Sequence, residues 1–544
     1  MMKLLYDGGK LLTDSPSPRR WFGLVAVSLG VALIVVDLTI VNVILAPIID
    51  DLSINSTEAQ WIQESYAIVF AALLLLTGRL ADLYGARRLF VIGLAIFGAT
   101  SLLAAIAPTG ELLILARFLQ GIGGALILPS SLTLVNATFT GKARGRAFAI
   151  WGSTIGAAAA VGPLLGGWLA DFSWRWAFGV NIPLVLVITV GVLRFLPVAP
   201  RRRGGVDALG ALLSVLGLGL LAYALIEGRA HGWLRITEPL TIGGFTWRSG
   251  PSPVLVAIVG AALLLVLFWR RQSMLGRTGG QPLMDARLFG IPSFRAGNVV
   301  TVLVGLGEFG IIAVLPLWLQ FALGYSAFQA GLALVALAVG SFCASGASFA
   351  MTTSALGLVR IGLLMEAAGL VLLGLTAATD TAWWTIAISL FLYGIGVGFA
   401  TAQVTNVVLT DVPVESAGQG SGIQSTAREL GAALGIAVLT TVFFSTLTSG
   451  LRERLTDSGY PAAESDQLSD MVTHSAGSVV PALAADPRTA PVADAARSAM
   501  ATGLEISSYA CAALLVLALA ATAFLRSAPE PSTDAPVASG AGIG

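Results

Sequence analysis

Gly78-Arg79-Leu80-Ala81-Asp82-Leu83-Tyr84-Gly85-Ala86-Arg87-Arg88 joins two long apolar runs, and five of its eleven residues are charged or aromatic in a chain of which only 11% is charged. Ionic groups concentrated this way, and bracketed by glycines, read as a hinge loop at a membrane surface. Around it the 544 residues are 56% hydrophobic, with a mean hydropathy of +0.85. Apolar stretches of about 20 residues, the length that crosses the hydrocarbon core, recur along the chain. A soluble fold is excluded, and the chain reads as an all-α polytopic membrane protein. Net charge is +1 and the basic residues sit in short clusters between apolar runs, so nothing argues for nucleic acid. Lys3, Lys10 and Lys142 stand against 28 arginines, which with the alanine and glycine excess points to a high-GC bacterial genome. Cys343 and Cys511 both fall in apolar runs and are expected as free thiols.

Fourteen helical spans are expected, at about 21–48, 59–80, 88–107, 111–135, 146–170, 177–197, 207–228, 252–270, 294–321, 331–352, 358–378, 383–410, 421–447 and 504–526. Arg19/Arg20, Arg87/Arg88, Lys142/Arg144/Arg146, Arg201 to Arg203 and Arg270/Arg271/Arg277/Arg287 all fall on one side, which the positive-inside rule makes the cytoplasm. Both termini are then cytoplasmic. The opposite short loops, Asp50 to Glu58 and Pro108 to Glu111, carry no basic residue, and Trp61, Trp168, Trp318 and Trp383 stand near span ends as interface anchors. The first apolar run is too long for a signal-peptide core, so span 1 is expected to be retained.

The expected organisation is a cytoplasmic N-terminus (1–20), a six-helix bundle (21–200), two inserted helices, spans 7 and 8, with flanking loops (201–290), a second six-helix bundle (291–526) and a disordered cytoplasmic tail (527–544). The second bundle includes a long outer loop at 448–503, expected as a flexible flap or short hairpin. His231 and His474 fall in outer loops. The two bundles are related by an internal repeat. Phe118-Leu119-Gln120-Gly121-Ile122-Gly123 recurs 273 residues later as Phe391-Leu392-Tyr393-Gly394-Ile395-Gly396, and the offset continues through Gly145/Gly418 and Ile150/Ile423 to Gly162/Gly435. Parallel duplicated halves imply a site at their interface and rocking between two access states.

Buried acids are the candidates for charge and proton chemistry. Asp37 lies mid-span 1, Glu308 at similar depth in its repeat counterpart, span 9, and Glu366 inside span 11. Each is costly in a bilayer unless it meets a cavity, a partner or a proton, and low dielectric favours the protonated carboxyl, so such groups can exchange protons. Glu64 shares a face with Gln60 and Gln63 near the outer end of span 2, as a cavity wall or a wet helix end; Glu429 is a further candidate or the ion-pair partner of Arg428. Asp37 and Asn42 are about 140° apart on an ideal helix and do not point at one spot. Span 4 carries Arg117, Gln120, Gly121 and Gly124 on one stripe. Gly152-Ser-Thr-Ile-Gly156 and Gly162-Pro163-Leu-Leu-Gly166-Gly167 give span 5 two small-residue contact patterns and a proline expected to bend or loosen it. Gln403 and Asn406 in span 12 align through the repeat with Ser130 and Thr133 in span 4; pathway lining and inter-helix hydrogen bonding both fit them. Phe309, Trp318 and Tyr393 are aromatic candidates for ligand contact or simple packing.

Three of these patterns together carry a resemblance. Gly78 to Arg88 resembles the loop signature of the major facilitator superfamily, Arg117-x-x-Gln120-Gly121-x-Gly123 its span-4 signature, and Gly162-Pro163-x-x-Gly166-Gly167 its antiporter signature. Asp37-x-Thr39-Ile40-Val41-Asn42-Val43, Trp61 with Tyr66, Ser173-Trp174-Arg175-Trp176 before Asn181-x-Pro183, and Thr426-Ala427-Arg428-x-Leu430-Gly431 resemble the fourteen-span drug/proton antiporter branch, of QacA/EmrB type. Ala158, Glu429 and Pro47 depart from the usual pattern. The resemblance covers roughly residues 20 to 447. It implies two six-helix bundles plus two inserted helices, and an ionic latch of Asp82 with Arg87/Arg88 in a gating loop that includes Gly78 and Gly85.

The expected function is proton-coupled export of a lipophilic compound, cations included, across a bacterial plasma membrane. Alternatives are export of an antibiotic, an amino acid or a lipid, and a non-transporting sensor or scaffold. The expected partners are a small-molecule substrate, protons and membrane lipid, with a monomer as the default state. No Walker motif, zinc site or nucleophilic triad is present, so no enzyme activity, metal or cofactor is expected and the proton gradient is the drive.

Overall fold

The computed structural model describes residues 18–525 apart from 55, 171, 197–203, 238, 243, 244 and 352. Most of the expected N-terminal segment, the Arg201 to Arg203 cluster and the tail 527–544 therefore lie outside the described residues. The helices are α1 (Pro18–Leu52), α2 (Ser56–Tyr84), α3 (Ala86–Ala105), α4 (Gly110–Thr138), α5 (Gly141–Ala170), α6 (Arg175–Gly179), α7 (Asn181–Phe195), α8 (Ala208–His231) and α9 (Pro253–Arg277). They continue as α10 (Pro292–Leu317), α11 (Ala327–Ala350), α12 (Ala355–Thr376), α13 (Trp383–Leu409), α14 (Ala417–Asp457), α15 (Ala462–His474), α16 (Val480–Ala485) and α17 (Ala490–Ala521). Among the described residues thirteen helical segments are long and apolar enough to cross a membrane. The expected span 146–170 is met by α5, a 30-residue helix outside that thirteen.

Local chemistry sets the ends. Thr109 caps α4 by accepting from the Leu112 N–H, Ser326 and Gln329 close a capping box on α11, and Ser252-Pro253 opens α9. Gly85, at φ 91°, makes the abrupt turn from α2 to α3 that a side chain would resist. Without a hydrophobic drive between helices in lipid, the crossings depend on small residues that let backbones approach. A Cβ on Gly162 or Gly166 of α5 would collide with Thr39 or Ile40 of α1. One on Gly431 or Gly435 of α14 would collide with the Val302 or Leu306 carbonyl of α10, so the 273-residue repeat reproduces the same crossing in each half.

The halves meet along α5 with α11 and α13 and along α2 with α14. The inserted α8 lies along α2 and also reaches α14, with α9 packed on α8, so the insert flanks one seam between the halves. The expected sixth span is met by one segment, Arg175–Phe195, in which α6 and α7 join at Val180, whose own backbone is helical. Two expectations change. The outer segment 448–503 is folded rather than loose: α14 runs on to Asp457, and α15, α16 and the first turns of α17 bury Leu451, Leu455, Val472, Val480 and Val492. Its alanine content and spaced apolar residues are enough for amphipathic helices, although no single window is hydrophobic. Part of the other outer loop forms a hairpin of β1 (Leu240–Ile242) and β2 (Phe245–Trp247). Trp168 and Trp383 are exposed, as interface anchors would be, whereas Trp318 is fully buried. Cys343 and Cys511 are both free thiols.

Candidate functional site

Each half holds one buried acid–arginine site, and the two are built differently. In the first half Asp37 forms a buried ion pair with Arg117 of α4. Its other oxygen accepts from Gln120 Nε2 at 2.9 Å and Asn181 Nδ2 at 2.8 Å, and both amides also reach Ser101 Oγ. Arg117 donates further to the Ile62 carbonyl at 3.1 Å and to Gln120 Oε1 at 2.8 Å. Its guanidinium lies 4.5 Å from the Tyr66 ring centroid. Asn181 is the first residue of α7, and from there its amide reaches Asp37. Gly121 and Gly124 give Tyr66 its place, since a Cβ on either would strike the Tyr66 carbonyl or hydroxyl. Asp37 is thus charge-balanced by Arg117 and hydrogen-bonded on both oxygens.

In the second half Glu308 of α10 accepts from Thr401 Oγ1 of α13 and pairs with Arg428 of α14 at 3.4 Å. The arginine beside Glu429 forms its ion pair with Glu308, and Glu429 itself is half-buried. Thr301, Glu308, Thr401, Thr405, Gln424 and Arg428 among others line a void here with room for one water at most. Glu366 of α12 is fully buried. Glu64 of α2 is also buried.

On the arginine-rich side the halves are closed against each other. Asp82 accepts from the Gly418 and Gln419 N–H groups at 2.6 and 2.9 Å, placing a carboxylate on the N-terminus of α14, where orphan donors and the helix dipole favour an anion. Gly78 permits this approach: its Cβ would lie 2.6 Å from the Gly418 carbonyl. The expected latch thus runs from one half to the other rather than within the loop, and Arg87 instead donates to the Leu193 carbonyl at 2.6 Å, while Arg88 is exposed. Beside it Arg144 donates to Asn406 Oδ1 and Thr410 Oγ1 at 3.0 and 2.7 Å, and Gln403 donates to the Gly145 carbonyl at 3.2 Å. Gln403 and Asn406 therefore serve inter-helix hydrogen bonding across the closed face. Ser130, their expected counterpart, is fully buried.

The insert is fastened to the same place. Asp207, at the start of α8, is held by Arg271 and Gln272 of α9, and Gln272 Oε1 accepts from the Leu283 and Met284 N–H groups. Arg79 reaches the Gly205 carbonyl at 3.4 Å, and the Asp285 N–H donates to Gln419 Oε1 at 2.7 Å. The first turn of α14 is thus gripped by α2 on one side and by the insert on the other.

The antiporter-type glycines divide by partner. Gly152 and Gly156 face Ala402 and Ser341 of the second half, Gly162 and Gly166 face α1, and Gly167 meets nothing within 4 Å. Helix α5 continues through position 163, whereas the side chains of Pro163 and Asn42 lie outside the described residues. On the opposite surface Arg175 and Trp174 bind Asp51, and these hydrogen bonds, that from Arg175 first, hold its carboxyl below the ordinary carboxylate range. Ser101, Thr401 and Asp285 went unrecognised in the sequence; small polar residues in apolar runs give no signal of their partners.

A profile of the Major Facilitator Superfamily matches residues 27–436. The multidrug efflux pump LfrA of Mycolicibacterium smegmatis is 32% identical over 532 residues, covering 96% of this chain and 98% of that one. The puromycin resistance protein pur8 of Streptomyces alboniger is 35% identical, over 79% of this chain and 83% of that one. The probable actinorhodin transporter of Streptomyces coelicolor is 31% identical, over 83% and 79%. Among solved structures the human organic anion transporter MFSD10 superposes with a TM-score of 0.59 at 14% identity, over 93% of this chain and all of that one. The proton:xylose symporter XylE superposes with a TM-score of 0.58 at 14% identity, over 92% of this chain and 94% of that one. With repeated halves, an inter-half latch and a buried acid–arginine site in each half, the chain belongs to the major facilitator superfamily.

Proposed function

We propose that this protein is a proton-coupled drug exporter of a bacterial plasma membrane, moving lipophilic compounds outward by alternating access. The observation that carries the reading is the end-to-end match to a multidrug efflux pump, over 96% of this chain. The geometry supports it. With the arginine-rich side as the cytoplasm, Asp82 on the α14 N-terminus and Arg144 across to Thr410 close the cytoplasmic face. Cargo then passes inward-open states only when those bonds release. Glu308 lies beside Arg428 where α10, α13 and α14 meet, and once the halves part, taking up a proton there removes one negative charge and loosens a cationic ligand; losing it does the reverse. Asp37 holds the corresponding position in the first half, as a pair bonded on both oxygens. The proton gradient is the drive, no cofactor takes part, and the transporter works as a monomer.

A second reading, export of a self-made antibiotic, draws on the similarity to the actinorhodin transporter and the puromycin resistance protein. Everted vesicles carrying the protein, given a panel of cationic dyes and such antibiotics with and without an imposed pH gradient, separate the two. Dye accumulation that collapses with the gradient, and that Glu308→Gln abolishes in folded protein, is the expected result. Gradient-independent accumulation, or none for any compound, would sink the proposal and favour a sensor or scaffold.

A further inference from the structure

Helix α9 is the least buried of the thirteen apolar segments, with 28% of its most apolar stretch covered by protein, and it packs chiefly on α8. Most of its surface therefore meets lipid. One stripe of that surface, at helical spacing, runs through Val259, Leu263, Val266, Arg270, Met274 and Arg277. All six are exposed, the three aliphatic ones to 60%, 59% and 55%. Two turns of aliphatic surface thus run into two arginines.

Positive charge at this end of a span follows from topology alone, and Arg277, in the last turn, also complements the helix dipole. Arg270, about two turns inside α9, has no helix end to serve. Neither arginine makes a hydrogen bond or an ion pair among the described residues. The acids of this region, Asp207 and Asp285, are already taken by Arg271 and Arg287. An anion would meet two unopposed positive charges, about 10 Å apart along the helix axis, a gap that two long side chains can close. Beside them Trp269 is part-exposed and fixed edge-on against Phe289 at 5.3 Å, which in turn meets Phe294 of α10 at 5.5 Å. That is an indole held at headgroup level. A soluble anion gains nothing from the aliphatic track, and a neutral lipid gains little from the arginines; a phospholipid of net negative charge uses both.

We propose that the arginine end of α9 binds the headgroup of an anionic phospholipid, its chain lying along Val259, Leu263 and Val266, and that the bound lipid steadies the closed face. The coupling follows from what the next residues hold. Arg271 and Gln272 bind Asp207 and the Leu283 and Met284 N–H groups, and the Asp285 N–H that follows donates to Gln419 of α14. The last turns of α9 then carry the lipid on one face and the strap to α14 on another.

Trp269 reports on the site directly, in whole protein in bilayers and without any substrate. Phosphatidylglycerol brominated on its chains is mixed at low mole fraction into phosphatidylcholine. Quenching of Trp269 is read as the difference between the protein and its Trp269→Phe variant. Quenching well above the mole fraction is expected, and the reverse mixture, brominated phosphatidylcholine in phosphatidylglycerol, should fall below it. In Arg270→Gln/Arg277→Gln the preference falls roughly 30-fold, from two arginines at about 1 kcal/mol each. Arg19→Gln/Arg20→Gln, which removes equal charge at the start of α1, leaves it unchanged. Quenching that follows the mole fraction, or an equal loss in the Arg19/Arg20 variant, overturns the proposal. So does displacement of the lipid by inorganic phosphate, which would make the site one for a free anion. Should the double variant not fold, the single changes serve, at about fivefold each, and a single change without effect contradicts the assignment. For the closed face, alkylation of a reporter Ala417→Cys is expected to be slower in phosphatidylglycerol than in phosphatidylcholine, and Arg270→Gln/Arg277→Gln to remove the difference. Equal rates in the two lipids overturn the coupling.

Discussion

The two halves share a repeat and a fold but solve the problem of a buried acid in opposite ways. In the first half Asp37 takes its arginine from α4 and has both oxygens bonded, by Arg117, Gln120 and Asn181. In the second Glu308 takes its arginine from α14, at 3.4 Å, beside a second acid that has no bonds among the described residues. A saturated pair is a fixed strut, because breaking it leaves an uncompensated charge in low dielectric. An under-satisfied cluster can change its protonation at smaller cost. Pseudo-symmetry therefore places the acids at equal depth without giving them equal work.

The most disruptive test removes each arginine. Arg117→Met strands Asp37 and is expected to cost about 3–5 kcal/mol in thermal unfolding of detergent-solubilised protein. Arg428→Met should cost less, roughly 1.5–3 kcal/mol, because Glu308 can take up a proton. Equal losses would erase the distinction. Next in size is the double-mutant cycle of Glu308→Gln and Glu366→Gln. Either single change leaves one acid for Arg428, whereas the double change strands the arginine, so a non-additive penalty of about 0.5–3 kcal/mol is expected. Additivity would mean that the two acids are independent.

Smaller effects bear on the surfaces that close the halves. Asp82→Ala removes the carboxylate from the α14 N-terminus and should weaken the closed state by about 1 kcal/mol. Faster alkylation of a reporter Ala417→Cys would register it, and an unchanged rate would move the latch elsewhere. Asp51 gives the least. Its carboxyl is held below its ordinary value of 3.8, so the stability it contributes is present above that pH and lost as pH falls through the lower folded value. Asp51→Asn should lower the neutral plateau of the melting-temperature profile slightly and flatten its acid limb below pH 3.8, and an unchanged plateau and limb would show that Asp51 contributes nothing.

Much of this was legible in the residues. Span length and arginine clusters give a polytopic bundle, and the shared glycine patterns give the duplicated halves, because close crossings tolerate few residue types. The Arg117–Gln120 stripe and the depth of Asp37 point to one site. What sequence does not carry is partner choice. The repeat maps Arg117 onto Leu390 and Arg428 onto Ile155, so no periodicity says that Glu308 will find an arginine on a different helix. Asn181 lay in a noted pattern, yet its reach to Asp37 joins helices whose residues stand 144 positions apart. The outer helices between 448 and 503 were hidden by their mixed composition, since an amphipathic helix that rests on protein need not look like a membrane span.

The first turn of α14 carries a last consequence. Its Gln419 receives Asp82 of α2 through the backbone N–H and holds the Asp285 N–H of the insert through the side chain. Two grips on one residue are released together or strain each other, so opening of this face is cooperative in the two contacts. The helices α8 and α9 are then more than spacers between the repeats: through the Asp285 N–H the linker at 278–291 adds a second hold on the residue that Asp82 grips.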